Sequence, residues 1–257
     1  MQRDTEQSAI AILVYFGGQI DKRHGLLRRA VVHAHRATLL DDEHRAIRCE
    51  HEAGRRVQRG WNWDGLEAGR QLDGAGDTCS REPHDEELRP APRGVYASSK
   101  LLGEWFAQLS PRAYVLRVES LFGSPADWTG RRGTLDHIVD GLQQGREVKV
   151  FTDRIVSPSY SRDVAAATRH LVMSGAPPGV YHCVNDGHAS WHDVAVEAAR
   201  ILDVRARLVA ITVDQLPLRV ARPRYCALST KKLAAAGFAM PTWQDGLRRW
   251  LDGRTRG

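Results

Sequence analysis

The chain has 257 residues, 42% of them apolar and 26% charged, with a formal net charge of +6; such a balance suits a globular core and excludes a disordered chain. The longest apolar run, AIAILVYF at 9–16, is far shorter than the roughly 20 residues that cross a bilayer, and no leader pattern is legible near Met1, so the expectation is a cytoplasmic protein with no membrane partner. The basic excess is diffuse, without a stripe of Arg and Lys interleaved with aromatics; no nucleic-acid partner is expected, and an anionic small molecule such as a nucleotide would suit the charge. Cys49, Cys79, Cys183 and Cys226 are scattered and form no CxxC pair, which argues against a zinc ribbon or a disulfide framework and gives no metal site.

In chain order, residues 9–16 read as a first strand running into glycines. Residues 24–40 suit a helix or a strand, and residues 41–71 show neither period. At GVYASSKLLGEWFAQL (94–109) the pattern becomes an amphipathic helix. Tyr96 and Lys100 are about 40° apart on it and leave the same face; Leu102, Trp105, Phe106 and Leu109 lie roughly opposite, where they are expected to pack and anchor the helix. AYVLRVESLFG (113–123) reads as a buried strand, REVKVF (146–151) as a half-exposed one, and GVYHCVN (179–185) as a further strand. Helices are expected at 163–172, at 190–202 behind a Ser190/Asp193 capping box, around LSTKKLAAAGF with Gly237 as a stop, and behind Thr242, where Trp243, Leu247, Trp250 and Leu251 form one stripe. Strands alternating with helices make this an α/β chain.

The chemistry concentrates at Tyr96 and Lys100. A phenol titrates near ~10, too high for easy proton transfer at neutral pH. A neighbouring ammonium favours the phenolate and lowers that value, so the phenol could protonate a carbonyl oxygen as hydride arrives, while the ammonium donates to ribose hydroxyls. The spacing alone equally suits an ordinary helix with a packed tyrosine and a solvated lysine. The surrounding residues discriminate.

RPAPRGVYASSKLLGE (89–104) resembles the active-site signature of the extended short-chain dehydrogenases/reductases, in particular the dTDP-4-dehydrorhamnose reductase group. Four later blocks follow the same pattern in order: VLRVESLFG (115–123), FTDRIVSPSYSRDVA (151–165), GVYHCVNDGHASWHDVA (179–195) and 222–251. The resemblance covers about residues 72–252. It implies a Rossmann-type parallel sheet flanked by helices, with a smaller C-terminal lobe that grips a nucleotide-sugar. The expected division is a dinucleotide-binding domain over 1–150, atypical over 1–71, and a mainly substrate-binding part over 151–257 whose strands return to the main sheet. By the same resemblance Tyr96 is the general acid/base, Lys100 its companion and a ribose ligand, and Ser120 a residue near the nicotinamide of NADP or NAD. Ser157 and Arg222 fall in blocks that line the substrate cleft, and a guanidinium suits a diphosphate. A homodimer is compatible with this reading.

Two departures stand out. In ILVYFGGQIDKRHGLL, Gly17 and Gly18 are the candidates for the phosphate-contacting loop, but Asp21 occupies the position of a third glycine, adding bulk and negative charge near phosphate. The family's substrate-carbonyl hydroxyl corresponds to about Ala68, which cannot donate. The Arg- and His-rich stretch from about 21 to 70 reads as a wrong reading frame or a degenerate remnant fused to a sound C-terminal portion. The leading expectation is therefore an NADP- or NAD-dependent reductase of a nucleotide-linked 4-keto-6-deoxy sugar, as in rhamnose biosynthesis. Its alternative is a non-catalytic nucleotide-binding subunit, resembling the β subunit of methionine adenosyltransferase, or an inactive remnant. A related epimerase or dehydratase fits the C-terminal blocks less well.

Overall fold

The computed structural model describes residues 11–17, 82–92, 95–124, 132–216 and 223–255; for 11–17, 95, 96 and 255 it describes the backbone. Expectations about Gly18, Asp21, residues 24–71, Ala68, Cys49, Cys79 and Arg222 lie outside the described residues.

The described part of the main sheet has three parallel strands in the order β1 (Ala11–Gly17), β2 (Ala113–Glu119), β7 (Gly179–His182). Ala11 pairs with Ala113 and Gly17 with Glu119, while Tyr114 pairs with Gly179 and Arg117 with His182. The chain's first strand thus stands directly beside the strand that follows the Tyr96 helix. Every residue of β2 is buried, as expected of a central parallel strand covered on both faces. Tyr114, Leu116 and Val118 pack with Val164, Ala167 and Leu171 of a helix α3 (Ser161–Ser174) and with Leu233 of a short helix α5 (Lys231–Ala235). Ala113 and Val115 point the other way and meet Ala107 of α1 (Val95–Gln108).

The anchoring of α1 differs from the sequence expectation. Leu102, Trp105, Phe106 and Leu109 are 48–79% exposed, and the helix seats through Ala97, Gly103, Glu104 and Ala107 instead. Small side chains let the helix approach the sheet closely, so its bulky face turns away from β2.

A second core joins α2 (Thr134–Gln143), α4 (Trp191–Leu202) and α6 (Trp243–Thr255) around Val139, Val194, Leu247 and Trp250. Phe122 stacks on Tyr160 beside Trp250, at the junction with the main sheet. The capping box reads as expected: the Ser190 hydroxyl accepts from the Asp193 amide at 3.1 Å, and the Asp193 carboxylate accepts from the Ser190 amide at 3.1 Å. All four stripe residues of α6 are buried. β4 (Glu147–Phe151) pairs in parallel with β9 (Arg207–Ile211), with Glu147 and Lys149 exposed and Val150 buried. Asp163 fastens the lobe to the sheet: it accepts two bonds from Arg249 at 2.9 and 2.7 Å and one from the Asn185 amide at 2.7 Å.

Candidate active site at the carboxyl end of the parallel strands

A parallel sheet directs its strands' carboxyl ends to one edge, where ligands of such folds bind. β2 follows α1 through a short connection, residues 109–112. Helix and strand therefore run antiparallel, and the first two turns of α1, with Tyr96 and Lys100, lie toward that edge.

A buried ion pair fixes the register between them. Arg117 Nε and Nη2 donate to the Glu104 carboxylate at 3.0 and 2.8 Å, both side chains being nearly inaccessible. Lys100 is one helical turn from Glu104, about 6 Å toward the amino end. Glu119 is two residues from Arg117, about 6.6 Å toward the carboxyl end, and on the same strand face. Ideal spacing along the two elements therefore brings Lys100 to about the height of Glu119 on the sheet. Lys100 is half-buried, and desolvation holds its ammonium below the ordinary lysine range. Tyr96 lies in the first turn of the same helix.

β2 ends at a deliberate bend. Ser120 has φ of 46°, the left-handed region that a non-glycine residue rarely adopts. The chain then continues as β3 (Leu121–Phe122), which pairs with β6 (Ser159–Tyr160). The bend returns the Ser120 hydroxyl to its neighbour: it donates to Glu119 Oε1 at 2.7 Å. The other oxygen, Oε2, accepts from the Ser157 backbone amide at 2.6 Å. Glu119 is 5% exposed, and burial pushes its carboxyl up to about 7 against the opposing bonds from Ser120 and Ser157 and the charge of Arg154.

Ser157 is fully buried, its hydroxyl accepting from the Leu228 amide at 3.1 Å and its carbonyl from the Ser159 hydroxyl at 3.0 Å. It braces the wall of the site from within. Gly17 ends β1 opposite Glu119, and the Ser120 hydroxyl and the Ser157 amide meet its buried carboxyl group.

Behind them, His182 stands 3.4 Å from Arg117 Nη1 through Nε2 and 3.1 Å from the His84 carbonyl through Nδ1. A carbonyl only accepts, so Nδ1 carries the hydrogen and Nε2 accepts from the guanidinium. Burial and the Arg117 charge hold His182 down to about 3, hence neutral. The segment 82–88 is strapped on by His84, whose amide donates to the Ala227 carbonyl at 2.8 Å.

The ammonium of Lys100 is a donor that fits the ribose of a nicotinamide nucleotide, and the Ser120 hydroxyl, its hydrogen given to Glu119, could accept from the carboxamide; the pyrophosphate end would fall to Gly17 and to residues outside the described ones. Among the described residues no cluster of His, Cys, Asp and Glu could hold a metal ion, and no helix is long and apolar enough to cross a membrane. Sequence reasoning did not single out Glu104, Arg117 and Glu119. The available signal was three charged residues falling on interior positions of an otherwise apolar helix–strand pair.

Comparison with known proteins identifies the family and the fold. The family described as RmlD substrate binding domain matches residues 72–255. The chain is 26% identical over 175 residues to the spore coat polysaccharide biosynthesis protein SpsK of Bacillus subtilis, covering 68% of this chain and 59% of that protein. It is 31% identical to a probable dTDP-4,6-dihydroxy-2-methyloxan-3-one 4-ketoreductase of Streptomyces antibioticus, over 66% of this chain and 57% of that one. The chain therefore spans less than two thirds of the length of either relative. Among solved structures, dTDP-4-dehydrorhamnose reductase from Bacillus anthracis in complex with NADP superposes with a TM-score of 0.60 at 26% identity, covering 66% of this chain and 59% of that chain.

Proposed function

Because the chain belongs to the RmlD substrate binding domain family, we propose that it is an NADP- or NAD-dependent oxidoreductase that reduces the keto group of a nucleotide-linked 4-keto-6-deoxy sugar. The observation that supports this reading is the buried Glu104–Arg117 pair, which ties β2 to the helix that carries Tyr96 and Lys100. The names of the relatives, two of them reductases of dTDP-linked keto sugars, support the substrate class.

The nicotinamide nucleotide, when bound, supplies the hydride. Tyr96 gives its phenolic proton to the carbonyl oxygen. Lys100 lowers the phenol's affinity for that proton and donates to the ribose hydroxyls. The desolvation that lowers the Lys100 pKa also strengthens its field on a nearby phenol, since charges interact more strongly away from water. Ser120 orients the nicotinamide carboxamide, Ser157 stiffens the cleft wall, and Arg222 clamps the diphosphate of the sugar nucleotide. Gly17 and Gly18 approach the cofactor's pyrophosphate. Residues 1–150 are read as the dinucleotide-binding part and 151–257 as mainly the substrate-binding lobe, in a cytoplasmic homodimer serving rhamnose-type sugar synthesis.

Asp21 and Ala68 favour a second reading, a nucleotide-binding protein without turnover. Titration with NADPH and NADH by fluorescence, followed by addition of dTDP-4-keto-6-deoxyglucose, separates the two. Binding with cofactor oxidation is expected; binding without oxidation moves the chain to the second reading, and no binding of either nucleotide rejects both.

A further inference from the structure

We propose that Glu119 is a positioning residue whose carboxyl group decides whether the Ser120 hydroxyl offers a ligand its hydrogen or its lone pairs. For the identity of that ligand, a nicotinamide nucleotide, the inference rests on the proposed function; the hydrogen-bond arrangement stands on the geometry alone.

The two carboxyl oxygens have unlike neighbours. Oε2 faces the Ser157 N–H at 2.6 Å, a group that only donates, so Oε2 stays an acceptor. Oε1 faces the Ser120 hydroxyl at 2.7 Å, which can donate or accept. A proton taken up by Glu119 therefore settles on Oε1. As a carboxylate, Glu119 receives the Ser120 hydrogen and leaves the lone pairs of Oγ toward the site. As a carboxylic acid, it donates to Oγ, and the Ser120 hydrogen turns outward. The Ser157 amide pins the carboxyl group, so the reversal needs no movement of the Glu119 side chain. The left-handed bend at Ser120, φ 46°, holds the hydroxyl in reach of both.

The charged surroundings allow either state near neutrality. Arg154 favours the carboxylate, while burial opposes it, placing the exchange near 7. From α1, ideal spacing brings Lys100 to about the same height. Along β2, the Arg117 charge is engaged by Glu104. From β7, His182 is neutral, and β6 contributes Ser159 and Tyr160 without charge. The substitution Glu119→Gln has one consistent arrangement: its carbonyl accepts from Ser157 and its amide donates to Ser120. It reproduces the protonated form at every pH.

The test combines two measurements on the full chain: NMR titration of 13C-labelled glutamate carboxyls, and NADPH binding at about pH 6 and about pH 8, either side of the expected exchange. Wild type, Glu119→Gln and Ser120→Gly are compared, glycine being suited to the left-handed bend. One carboxyl is expected to titrate near 7, to vanish in Glu119→Gln, and to titrate higher in Ser120→Gly, which loses a bond to the carboxylate. The wild-type dissociation constant for NADPH should differ roughly fivefold between the two pH values, the worth of one hydrogen bond. Glu119→Gln should keep the wild-type low-pH value at both. The proposal is overturned if no carboxyl titrates above about 5, if Ser120→Gly leaves the titration unmoved, or if Glu119→Gln follows the wild-type pH dependence in binding. If the titrations behave as expected but NADPH binds at neither pH, the hydrogen-bond arrangement holds and the cofactor assignment fails.

Discussion

On one face of β2, Tyr114, Leu116 and Val118 press against α3 and α5 in a packing that is apolar but for the Tyr114 hydroxyl, which donates to the Ala176 carbonyl at 2.6 Å. On the other, two residues of the same strand, Arg117 and Glu119, are buried charges beneath α1. Burying a charge is costly unless it is matched, so a strand that only supported the fold would have no reason to carry two. The difference separates the face that holds the sheet together from the face that carries the candidate site. Arg117 and Glu104 tie the helix to the strand, and Glu119 binds the end of the strand to the segment around Ser157.

The largest effect should come from the helix on the polar face. Tyr96→Phe and Lys100→Met are each expected to reduce turnover about 100- to 10,000-fold, the usual worth of a positioned proton donor, with little change in the urea unfolding midpoint. Next, Glu104→Leu leaves the Arg117 guanidinium buried without its carboxylate and should cost about 3–5 kcal/mol of stability. Adding Arg117→Met should restore most of that loss, because an apolar pair replaces a buried ion pair at little net cost. On the apolar face, Leu116→Ala should cost about 2–5 kcal/mol through the cavity it leaves, without altering any pH dependence. A loss confined to turnover in Leu116→Ala would blur the distinction between the faces.

The smallest effect is a slope. The folded-state pKa of Glu119, about 7, lies above its ordinary value of 4.5, so the folded chain holds this proton more tightly than the unfolded one. The resulting stability is fully present below pH 4.5 and is lost as pH rises through about 7. His182 acts in the opposite sense: its folded value of about 3 is below the ordinary 6.5, so its contribution is present above 6.5 and lost as pH falls toward 3. The difference between wild type and Glu119→Gln in urea unfolding removes the His182 contribution, and should decline steadily across that window.

The local rules made much of this legible in the sequence. The Ser190/Asp193 box, the α6 stripe and the alternation in β4 are each set by neighbours within one or two turns. The helix Thr134–Gln143 was not singled out, although Leu135, Ile138, Val139 and Leu142 share a buried face. It begins at Gly133, which has no side chain to cap the first amides, and Asp136 makes only the return bond, accepting from the Gly133 amide at 2.9 Å. The bulky face of α1 misled for a different reason: large apolar residues usually indicate the buried side, yet Trp105 and Phe106 are exposed and Glu104 is not. At the site, the Tyr96/Lys100 spacing was readable from one segment. The carboxyl group that gathers Ser120 and Ser157 was not, because Ser157 lies 38 residues from Glu119 in the chain and the two meet only when the sheet forms.

The central claim is that the carboxyl end of β2 and the first turns of α1 form one nucleotide site. Amide chemical shifts of the 15N-labelled chain, recorded as NADPH is added, test it most directly. The account predicts saturable shifts at Lys100, Glu119 and Ser120, with α4 and the β4–β9 ribbon unchanged. Saturable shifts confined to the lobe, or none at saturating NADPH, would contradict it.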